Sequence, residues 1–373
     1  MKILVFNWRD IKNPEAGGAE VHIHEILKRL CQKGYEITMV SSNFDGAEKE
    51  EYIDGIHIIR IGNKYLMNIY ALLYYFKLRK YKKFDVVIDD ISKIPLYTPL
   101  YIRKPIIAIV HHMFEKTAQY ETNIILSTIV RVALGIMTYV YKNIPIVAVS
   151  DSTKSDLISR GIPNCNIYVI HNGIDLKRYS PGEKSKNPLV VYFGRVKKYK
   201  RVDHLVEAFY KVQNEIPDLK LIIAGKGDYT LLNSFDKIKN DPNIQLVGEV
   251  SEDDKVKILQ KAWVFVNPSV EEGWGITVIE ANACGTPAIG YDVPGLRDSI
   301  KHGYNGLLVR DGDVDSLAET LKTIISNNDL RVKLSKNAIH WALKFSWDKS
   351  ADEFDKLLDF VINDYNKIKR CFK

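Results

Sequence analysis

The residues best suited to chemistry in this chain are two glutamates on either side of a glycine-rich turn. Glu272 precedes Gly273-Trp274-Gly275, and Glu280 follows inside a predicted helix that ends at Gly285. Glycines let the backbone turn sharply and expose the first amides of a helix to an anion, and carboxylates accept paired hydrogen bonds from sugar hydroxyls. The pattern favours a site for a sugar nucleotide, although two carboxylates can also be the acid and base of a glycoside hydrolase.

A second candidate site is the basic loop that starts at Arg195. Phe193-Gly194-Arg195 ends a predicted strand, and Lys200 stands just before the predicted helix VDHLVEAFYKV. A guanidinium and an ammonium at the start of a helix can bind a diphosphate and neutralise the charge that develops when one of its bonds breaks. The same residues could form a solvated basic loop, but their position directly after a strand favours ligand binding.

Polar residues also follow two predicted strands of the first half. Gly17 and Gly18 stand before the helix AEVHIHEILKRL, where free amides can approach a phosphate. A glycine pair before a helix can equally be a plain turn. His111 and His112 follow the strand IIAIV, where a histidine can donate a hydrogen bond, shuttle a proton or only pack the loop.

No pattern in the sequence predicts a metal ion. The adjacent Asp89 and Asp90 point to opposite sides of a strand, so we do not expect them to share an ion. The four cysteines form no CxxC pair, which argues against a zinc site or a disulfide framework and fits a reducing cytoplasm. His22 and His24 fall inside the first helix and are interpreted as structural.

Two sets of strands and helices are predicted to position these residues. Short apolar runs alternate with amphipathic helical stretches, as in parallel α/β sheets. The predicted strands are 3–8, 36–42, 57–61, 85–90, 106–112, 145–150 and 167–173 in the first half, and 189–194, 219–225, 244–248, 263–269, 287–292 and 306–309 in the second. A chain of 373 residues suits two domains, and 178–188 is rich in Pro, Gly, Ser and Lys. We predict domains at 1–180 and 181–345, and a helical segment at 346–373 that crosses back to the first domain.

Two further segments suggest contact with a membrane surface. Residues 64–83, KYLMNIYALLYYFKLRKYKK, combine aromatic residues at helical spacing with six lysines and arginines. Such a helix suits an anionic bilayer surface, but it could also be a domain helix with an apolar core face. Residues 123–141 are apolar with Arg131 near the centre, which predicts a buried or interfacial helix rather than a spanning one. The chain starts without a signal-peptide pattern, so a cytoplasmic location is expected. Contact of these two segments with lipid would place the protein at the inner face of the cell membrane.

Seven ordered motifs together resemble glycosyltransferase family 4, over nearly the whole chain. They are AGGAE, SDSTKSDL (150–157), VIHNGID (169–175), GRVKKYK (194–200), LVGEV (246–250), the loop PSVEEGWG and the helix ITVIEANACGTPAI. The resemblance implies an α/β protein with the GT-B fold, in which two Rossmann-like domains face each other across a cleft. It also implies a retaining, metal-independent hexosyltransferase, for which a nucleoside diphosphate sugar is a substrate and no cofactor is needed.

The resemblance also implies roles for individual residues. Arg195 and Lys200, beside Gly194, match the pair that binds the donor diphosphate. Glu272 matches the residue that contacts the donor sugar hydroxyls, and Glu280 matches the one that binds the ribose. The backbone predicted to surround the phosphate, sugar and base belongs to Gly273, Trp274, Gly275, Ile276, Thr277 and Gly248.

In the first domain, His111 matches the histidine that faces the transferred sugar, and Gly17-Gly18 match the loop at the floor of the cleft. The implied catalytic set is therefore His111, Arg195, Lys200 and Glu272. The chain departs from the family at Arg201, where many relatives have Gly, and at His112.

Three functions remain open at this point. The first is transfer of a sugar to an acceptor hydroxyl, and the two segments 64–83 and 123–141 favour a lipid-linked acceptor. The second is a sugar-nucleotide epimerase of the same fold, and the third is a non-catalytic nucleotide-sugar-binding protein. The net charge of +7 fits an anionic partner, and no nucleic acid is expected.

Overall fold

The computed structural model describes residues 1–91, 94–121, 123–235, 238 and 240–371. The chain forms two compact units. The first contains the residues up to 173, apart from a short piece at 119–121, together with the C-terminal segment from 347 onward. The second contains that short piece and residues 174–346.

The first unit is built on an eight-stranded sheet. Its strands are β1 (Lys2–Phe6), β2 (Glu36–Ser42), β3 (Glu50–Ile53), β4 (Ile56–Ile61), β5 (Val86–Ile91), β6 (Ile106–Val110), β7 (Ile146–Ala148) and β8 (Ile167–Val169). Their order is β3-β4-β2-β1-β5-β6-β7-β8, and every pair is parallel except β3 with β4. The central strands are runs of Ile, Val and Leu because helices cover both faces of the sheet.

Helices of the first unit pack on both faces of its sheet. They are α1 (Gly18–Gln32), α2 (Met67–Leu78), α3 (Glu115–Glu121), α4 (Ile124–Val140), α5 (Asp151–Ser159) and α12 (Trp347–Cys371). One core cluster joins α1 and α12 to one face of the central strands, through Ile3, Val5, Val86, Ile88, Ile107 and Ile109. Two further clusters join α2 to Leu4 and Phe6, and α4 to Ala108 and Val110.

The second unit has a six-stranded, all-parallel sheet in the order β11-β10-β9-β12-β13-β14. Its strands are β9 (Leu189–Phe193), β10 (Lys220–Ala224), β11 (Ile244–Gly248), β12 (Val264–Asn267), β13 (Ala288–Tyr291) and β14 (Gly306–Val309). Its helices are α6 (Val202–Gln213), α7 (Glu252–Lys261), α8 (Ile276–Ala283), α9 (Leu296–Ser299), α10 (Val314–Ser326) and α11 (Asn328–Ala342). The six predicted strands of this half are all present.

Strand order in each sheet identifies where a ligand would bind. In open parallel sheets, ligands bind beyond the carboxyl ends of the strands, at the point where the chain reverses the direction in which it adds strands. That point lies between β1 and β5 in the first unit and between β9 and β12 in the second. The candidate residues of both halves follow these strands or their immediate neighbours, except Gly248, which ends the edge strand β11.

The structure differs from the sequence analysis at two points. The boundary between the units lies at 173/174 rather than 180/181, because Ile174 bridges to Ser346 and the Tyr179 hydroxyl donates to Glu252 within the second unit. The strand β3 was not predicted. It pairs with β4 through a tight hairpin at Asp54-Gly55, where both residues have positive φ.

Candidate functional site

The centre of the second unit's site is an ion pair between Lys200 and Glu272. Lys200 ends the turn after β9, and Glu272 lies in the loop after β12, so the two meet at the switch point of the sheet. The Lys200 ammonium donates to Glu272 Oε1, which also accepts from Asn267 Nδ2 at 3.1 Å and from Ser269 Oγ at 2.8 Å. These three bonds all end on Oε1, so Oε2 is the oxygen that can accept a bond from a ligand.

Both partners are held in their charged forms. Their side chains are only 13% and 16% exposed, and burial by itself would lower the pKa of Lys200 and raise that of Glu272. Their mutual attraction outweighs burial, so the pKa of Lys200 is raised and the pKa of Glu272 is lowered. The nearby Arg195 guanidinium opposes the effect on Lys200, since it lowers that pKa. Two cations and one carboxylate therefore share this corner of the site.

Arg195 is positioned by the first strand of its unit. β9 ends at Phe193, Gly194 follows, and the Arg195 carbonyl accepts a hydrogen bond from the Tyr192 hydroxyl at 2.8 Å. Gly194 also lies close to β10, because its carbonyl would be only 1.9 Å from a Cβ placed on Gly225. The backbone of this loop is thus held against the next strand, which limits the positions that the Arg195 side chain can reach.

The structure explains how the chain accommodates Arg201 where many relatives have glycine. Arg201 has a φ of 48°, in the left-handed region that glycine adopts without strain. Its guanidinium bonds to Asp311 and lies 5.7 Å from the centre of the Tyr291 ring. The Arg201 side chain therefore has partners of its own, and neither of them belongs to the Lys200–Glu272 pair.

The glycine-rich turn ends at the start of α8. Gly275 has a φ of 81° and precedes Ile276 and Thr277, the first residues of the helix. Gly273 and Trp274 lead into this turn, and the Trp274 ring is buried, with its centre 5.0 Å from that of Phe345. The Trp274 side chain therefore anchors the turn, and its backbone is the part that can face a ligand.

Glu280 lies on α8 and is 7% exposed. Its Oε2 is 2.7 Å from the ammonium of Lys255, a residue of α7 that the sequence reasoning did not identify. Burial alone would lower the pKa of Lys255, but Glu280 and Glu252 raise it, so this lysine stays charged. The site thus contains a second buried ion pair. Gly248 ends the edge strand β11 with a φ of 66°, and its carbonyl accepts a bond from the Gly225 amide.

In the first unit, His111 is held by a chain of hydrogen bonds. His111 follows β6 and is 7% exposed, and its Nε2 lies 2.8 Å from Asp90 Oδ1. The other carboxylate oxygen of Asp90 accepts from Asn7 Nδ2 at 2.9 Å. Asp90 raises the pKa of His111 against the opposing effect of burial. Because Nε2 is engaged, Nδ1 is the His111 nitrogen that can contact a ligand.

His22 packs against this histidine. The two rings meet edge to face, with their centres 5.3 Å apart. Burial and the neighbouring His111 hold the pKa of His22 well below its usual value, so this residue is neutral. His112 is half-buried beside Phe114. Asp89 points to the opposite face of β5, where Thr98 and Tyr141 donate to it, which confirms that Asp89 and Asp90 do not converge.

Gly17 is the N-cap of α1 and Gly18 is its first residue, one position earlier than predicted, and the helix start already holds a carboxylate. The Gly17 amide donates to Glu20 Oε2 at 2.7 Å, and Arg9 Nε lies 2.9 Å from the other Glu20 oxygen. Glu20 is 2% exposed. The dipole of this helix is therefore partly satisfied from within the chain.

The structure brings Arg195, Lys200 and Glu272 together in one corner, and it joins Glu280 to Lys255 on neighbouring helices. Sequence reasoning missed most of the side chains that hold these groups in place. Asn267 ends a strand at the switch point, Ser269 follows the same strand and Asn7 follows another, so their position was a usable signal. Lys255 lies on an ordinary amphipathic helix, and nothing in its spacing indicates the contact with Glu280.

The sequences of both units match known glycosyltransferase families. The family model for glycosyl transferases group 1 matches residues 174–341, which begins where the second unit begins, and that for glycosyltransferase family 4 matches residues 16–178. An uncharacterised glycosyltransferase of Methanocaldococcus jannaschii is 26% identical over 383 residues, covering 95% of this chain and 96% of that protein.

Solved structures share the fold over almost the full chain. Sucrose-phosphate synthase from Thermosynechococcus elongatus has a TM-score of 0.83 at 18% identity, covering 97% of this chain and 99% of that one. Anabaena HepE, solved in complex with UDP-glucose, has a TM-score of 0.77 at 17% identity, covering 96% and 99%. These similarities show the fold, and the two family models account for both units. The chain therefore belongs to the family 4-like glycosyltransferases with the GT-B fold.

Proposed function

We propose that this glycosyltransferase moves a hexose from a nucleoside diphosphate sugar to an acceptor hydroxyl and retains the anomeric configuration. The observation that carries the proposal is the Lys200–Glu272 pair beside Arg195 at the switch point of the second sheet. The two cations can bind a diphosphate, and the carboxylate can accept hydrogen bonds from sugar hydroxyls. Anabaena HepE, which shares the fold, was solved with UDP-glucose, and this supports a nucleotide sugar as the donor.

Arg195 and Lys200 stabilise the departing diphosphate in this proposal. Charge builds on the diphosphate as the bond to the sugar breaks, and fixed cations in a water-poor site stabilise that charge strongly. Glu272 keeps Lys200 protonated over the working pH range because it raises the pKa of the lysine. The site therefore needs no metal ion for this task.

The two glutamates fix the rest of the donor. Glu272 accepts from a sugar hydroxyl through Oε2, since Oε1 is already bonded to three side chains of the protein. Glu280 accepts from the ribose hydroxyls, and Lys255 holds its carboxylate in position. The amides from Gly273 to Thr277 bind the phosphate and sugar, and Gly248 lines the base.

His111 is the residue of the first unit that contacts the transferred sugar. We assign this role to His111 rather than His112 because Asp90 and Asn7 fix the orientation of the His111 ring. Gly17 and Gly18 contribute backbone at the same side of that unit. Asp90 acts as a positioning residue and does not touch the substrate.

The reaction then proceeds from one face of the sugar. The acceptor oxygen attacks the anomeric carbon from the side on which the diphosphate leaves, as the family resemblance implies. The bond from the anomeric carbon to the phosphate oxygen breaks, the bond to the acceptor oxygen forms, and the acceptor proton passes to the departing diphosphate. No protein nucleophile takes part.

A lipid-linked acceptor is the class that we propose, with the enzyme acting at the inner face of the cell membrane. The support is the basic and apolar surface formed by the segments 64–83 and 123–141 of the first unit. The hydroxyl on the polar headgroup of the acceptor lipid would then lie at the bilayer surface, where the enzyme binds.

Nucleotide release from a panel of UDP-, GDP- and ADP-sugars, with and without a lipid extract, tests the proposal. We expect release from one donor, an increase on adding lipid, and loss of activity in Glu280→Ala. Conversion of the donor sugar without an acceptor would instead support the epimerase. Donor binding without any turnover would support a non-catalytic binding protein.

A further inference from the structure

The first unit exposes a row of large apolar side chains on α4. Residues 125, 129, 132, 136 and 139 recur at alternating spacings of four and three, so they share one face of the helix. Their exposed fractions are Ile125 72%, Ile129 51%, Val132 56%, Ile136 50% and Tyr139 84%. The core contacts of α4 come from other positions, namely Val130, Ala133, Leu134 and Met137. The row is therefore not needed to pack the helix on its own sheet.

The helix α2 repeats this arrangement. Its buried side consists of Met67, Ala71, Tyr75 and Leu78. Its opposite side, together with the residue before it, exposes Leu66 46%, Ile69 52%, Leu73 61% and Phe76 38%. Soluble monomers seldom leave contiguous apolar surface of this kind without a partner.

Both helices lie on the same face of the sheet. α2 packs on Leu4 and Val87, whereas α4 packs on Ile91 and Ala108. Val87 and Ile91 are an even number of residues apart on β5, so they point to the same side. The other face of the sheet is covered by α1 and α12. The outward rows of α2 and α4 therefore belong to one side of the first unit, which we call the α2–α4 face.

The segments that carry the two apolar rows are basic, whereas α3, which joins the same core cluster as α4, contains Glu115 and Glu121. The segments 62–84, 91–114 and 122–150 contain no aspartate or glutamate. They carry exposed basic residues at Lys77, Arg79, Lys80, Lys83, Arg103, Lys104, Arg131 and Lys142. The Arg79 guanidinium lies 4.7 Å from the centre of the Phe76 ring, so cationic and apolar groups are interleaved.

We propose that the α2–α4 face docks on an anionic lipid bilayer. The apolar rows would enter the boundary between headgroups and acyl chains, and the basic side chains would contact the headgroup phosphates. A symmetric dimer through the same face would bring identical basic residues together, which an anionic bilayer avoids. Within the described part of the chain, no helix has the length and apolar character needed to cross a membrane.

This inference extends the proposed lipid-linked acceptor, but it concerns a surface that contains none of the donor-site residues. Vesicle flotation tests it without any donor present. The probes are vesicles of phosphatidylcholine alone and of phosphatidylcholine mixed equally with phosphatidylglycerol. The test variant is Ile129→Asp with Ile136→Asp, and the matched control is Val332→Asp with Leu343→Asp, which changes two exposed apolar residues of the second unit.

We expect the wild type and the control to float with the mixed vesicles and not with phosphatidylcholine alone. The α4 variant should bind the mixed vesicles at least about tenfold more weakly, since two isoleucines no longer leave water on binding. A second variant, Lys80→Glu with Lys83→Glu, lies outside the core and should also weaken binding. It keeps the test valid should the α4 variant fold poorly.

Three outcomes would overturn the proposal. In the first, the wild type does not bind the mixed vesicles. In the second, both variants float as the wild type does. In the third, the wild type is a dimer, and the α4 variant is a monomer that still floats. The last would mean that a second copy covers the face. Nucleotide release, measured separately in detergent-free buffer, shows whether the donor chemistry fails independently.

Discussion

Arg195 is the residue whose loss should affect turnover most directly. Replacing it by alanine removes a fixed cation from the departing diphosphate, so we expect nucleotide release to fall by about a hundredfold to a thousandfold. Lys198→Ala is the matched control, because Lys198 lies in the same loop and is exposed. Near-normal release by Arg195→Ala would exclude it from the site.

The pair Lys200–Glu272 should contribute to stability as well as to binding. Glu272→Gln leaves the Lys200 charge uncompensated in a mostly buried site, and we expect a loss of about 3 kcal/mol in the free energy of unfolding. Glu249→Gln breaks an exposed pair with Lys226 and should cost less than about 1 kcal/mol. Urea unfolding of both variants, followed through the transition of the second unit, measures the difference.

The pH dependence of that difference follows from the two pKa shifts. The pKa of Glu272 is lowered from 4.5, so its stabilisation is present above pH 4.5 and is lost as the pH falls through the lower value of the folded state. The pKa of Lys200 is raised above 10.5, so its share is present below pH 10.5 and is lost as the pH rises through the higher value. The stability gap between wild type and Glu272→Gln should therefore be constant near neutral pH and shrink in acid. A gap unchanged well below pH 4 would contradict this account.

Asp90 should control the ionisation of His111. Asp90→Asn removes the larger of the two charges that raise the pKa of the histidine, the other being Glu20, so burial gains weight and the pKa should fall. The change is measured by NMR titration of the His111 ring carbons, alongside the pH profile of kcat/KM. Asp89→Asn is the control, because Asp89 bonds to Thr98 and Tyr141 on the opposite face of the same strand. Equal shifts in the two variants would argue against a specific role for Asp90.

At the scale of elements, the loop that carries Glu272 depends on a close backbone contact. A Cβ on Gly295 would lie 2.1 Å from the Glu272 carbonyl oxygen, and Gly295 has a φ of 78°. Gly295→Ala should therefore displace the loop and raise the KM for the donor, in addition to the strain of about 1 kcal/mol that a left-handed alanine brings. Gly303→Ala has a similar φ of 75° and open space around it, so it should show the strain alone. Similar KM values in the two variants would contradict this prediction.

The sequence predicted the elements of the donor site well, for a physical reason. Buried parallel strands such as β9 and β12 are short apolar runs, and each leads into a loop at the switch point of the sheet. Arg195 and Glu272 could therefore be found from their positions. Side-chain pairing was not predictable, because Lys255 reaches Glu280 through the packing of two helices that no local pattern relates. β3 was missed although Asp54-Gly55 is a strong hairpin signal, since its residues Glu50–Ile53 are too polar to read as a buried strand.

At the scale of the whole molecule, the C-terminal segment from Trp347 onward belongs to the first unit. α12 packs on α1, with Phe354, Leu357 and Leu358 in the shared core, and Lys33, the residue after α1, pairs with Asp352 and Asp355. The predicted boundary at 345/346 lies one residue from the observed return at 347. The core of the first unit therefore combines residues from before 174 with residues from after 346.

Phe354 should matter to that unit far more than a neighbour on the same helix. Phe354→Ala removes a fully buried ring and should reduce the free energy of unfolding by about 3–5 kcal/mol. Phe360→Ala, at a position 42% exposed, should cost less than about 1 kcal/mol. Calorimetry that resolves the two units should find the change in the transition of the first unit. Equal effects of the two substitutions would contradict the packing described for α12.

The central claim, retaining transfer from a nucleotide sugar, is tested most directly by the stereochemistry of the product. The enzyme is incubated with the donor that gives nucleotide release and with the lipid fraction that increases it, and the proton NMR spectrum of the glycosylated product is recorded. The coupling constant of the anomeric proton reports the configuration at the anomeric carbon. The account predicts the same configuration as in the donor, with no product from Arg195→Ala. An inverted configuration, or a product formed equally well by Arg195→Ala, would contradict it.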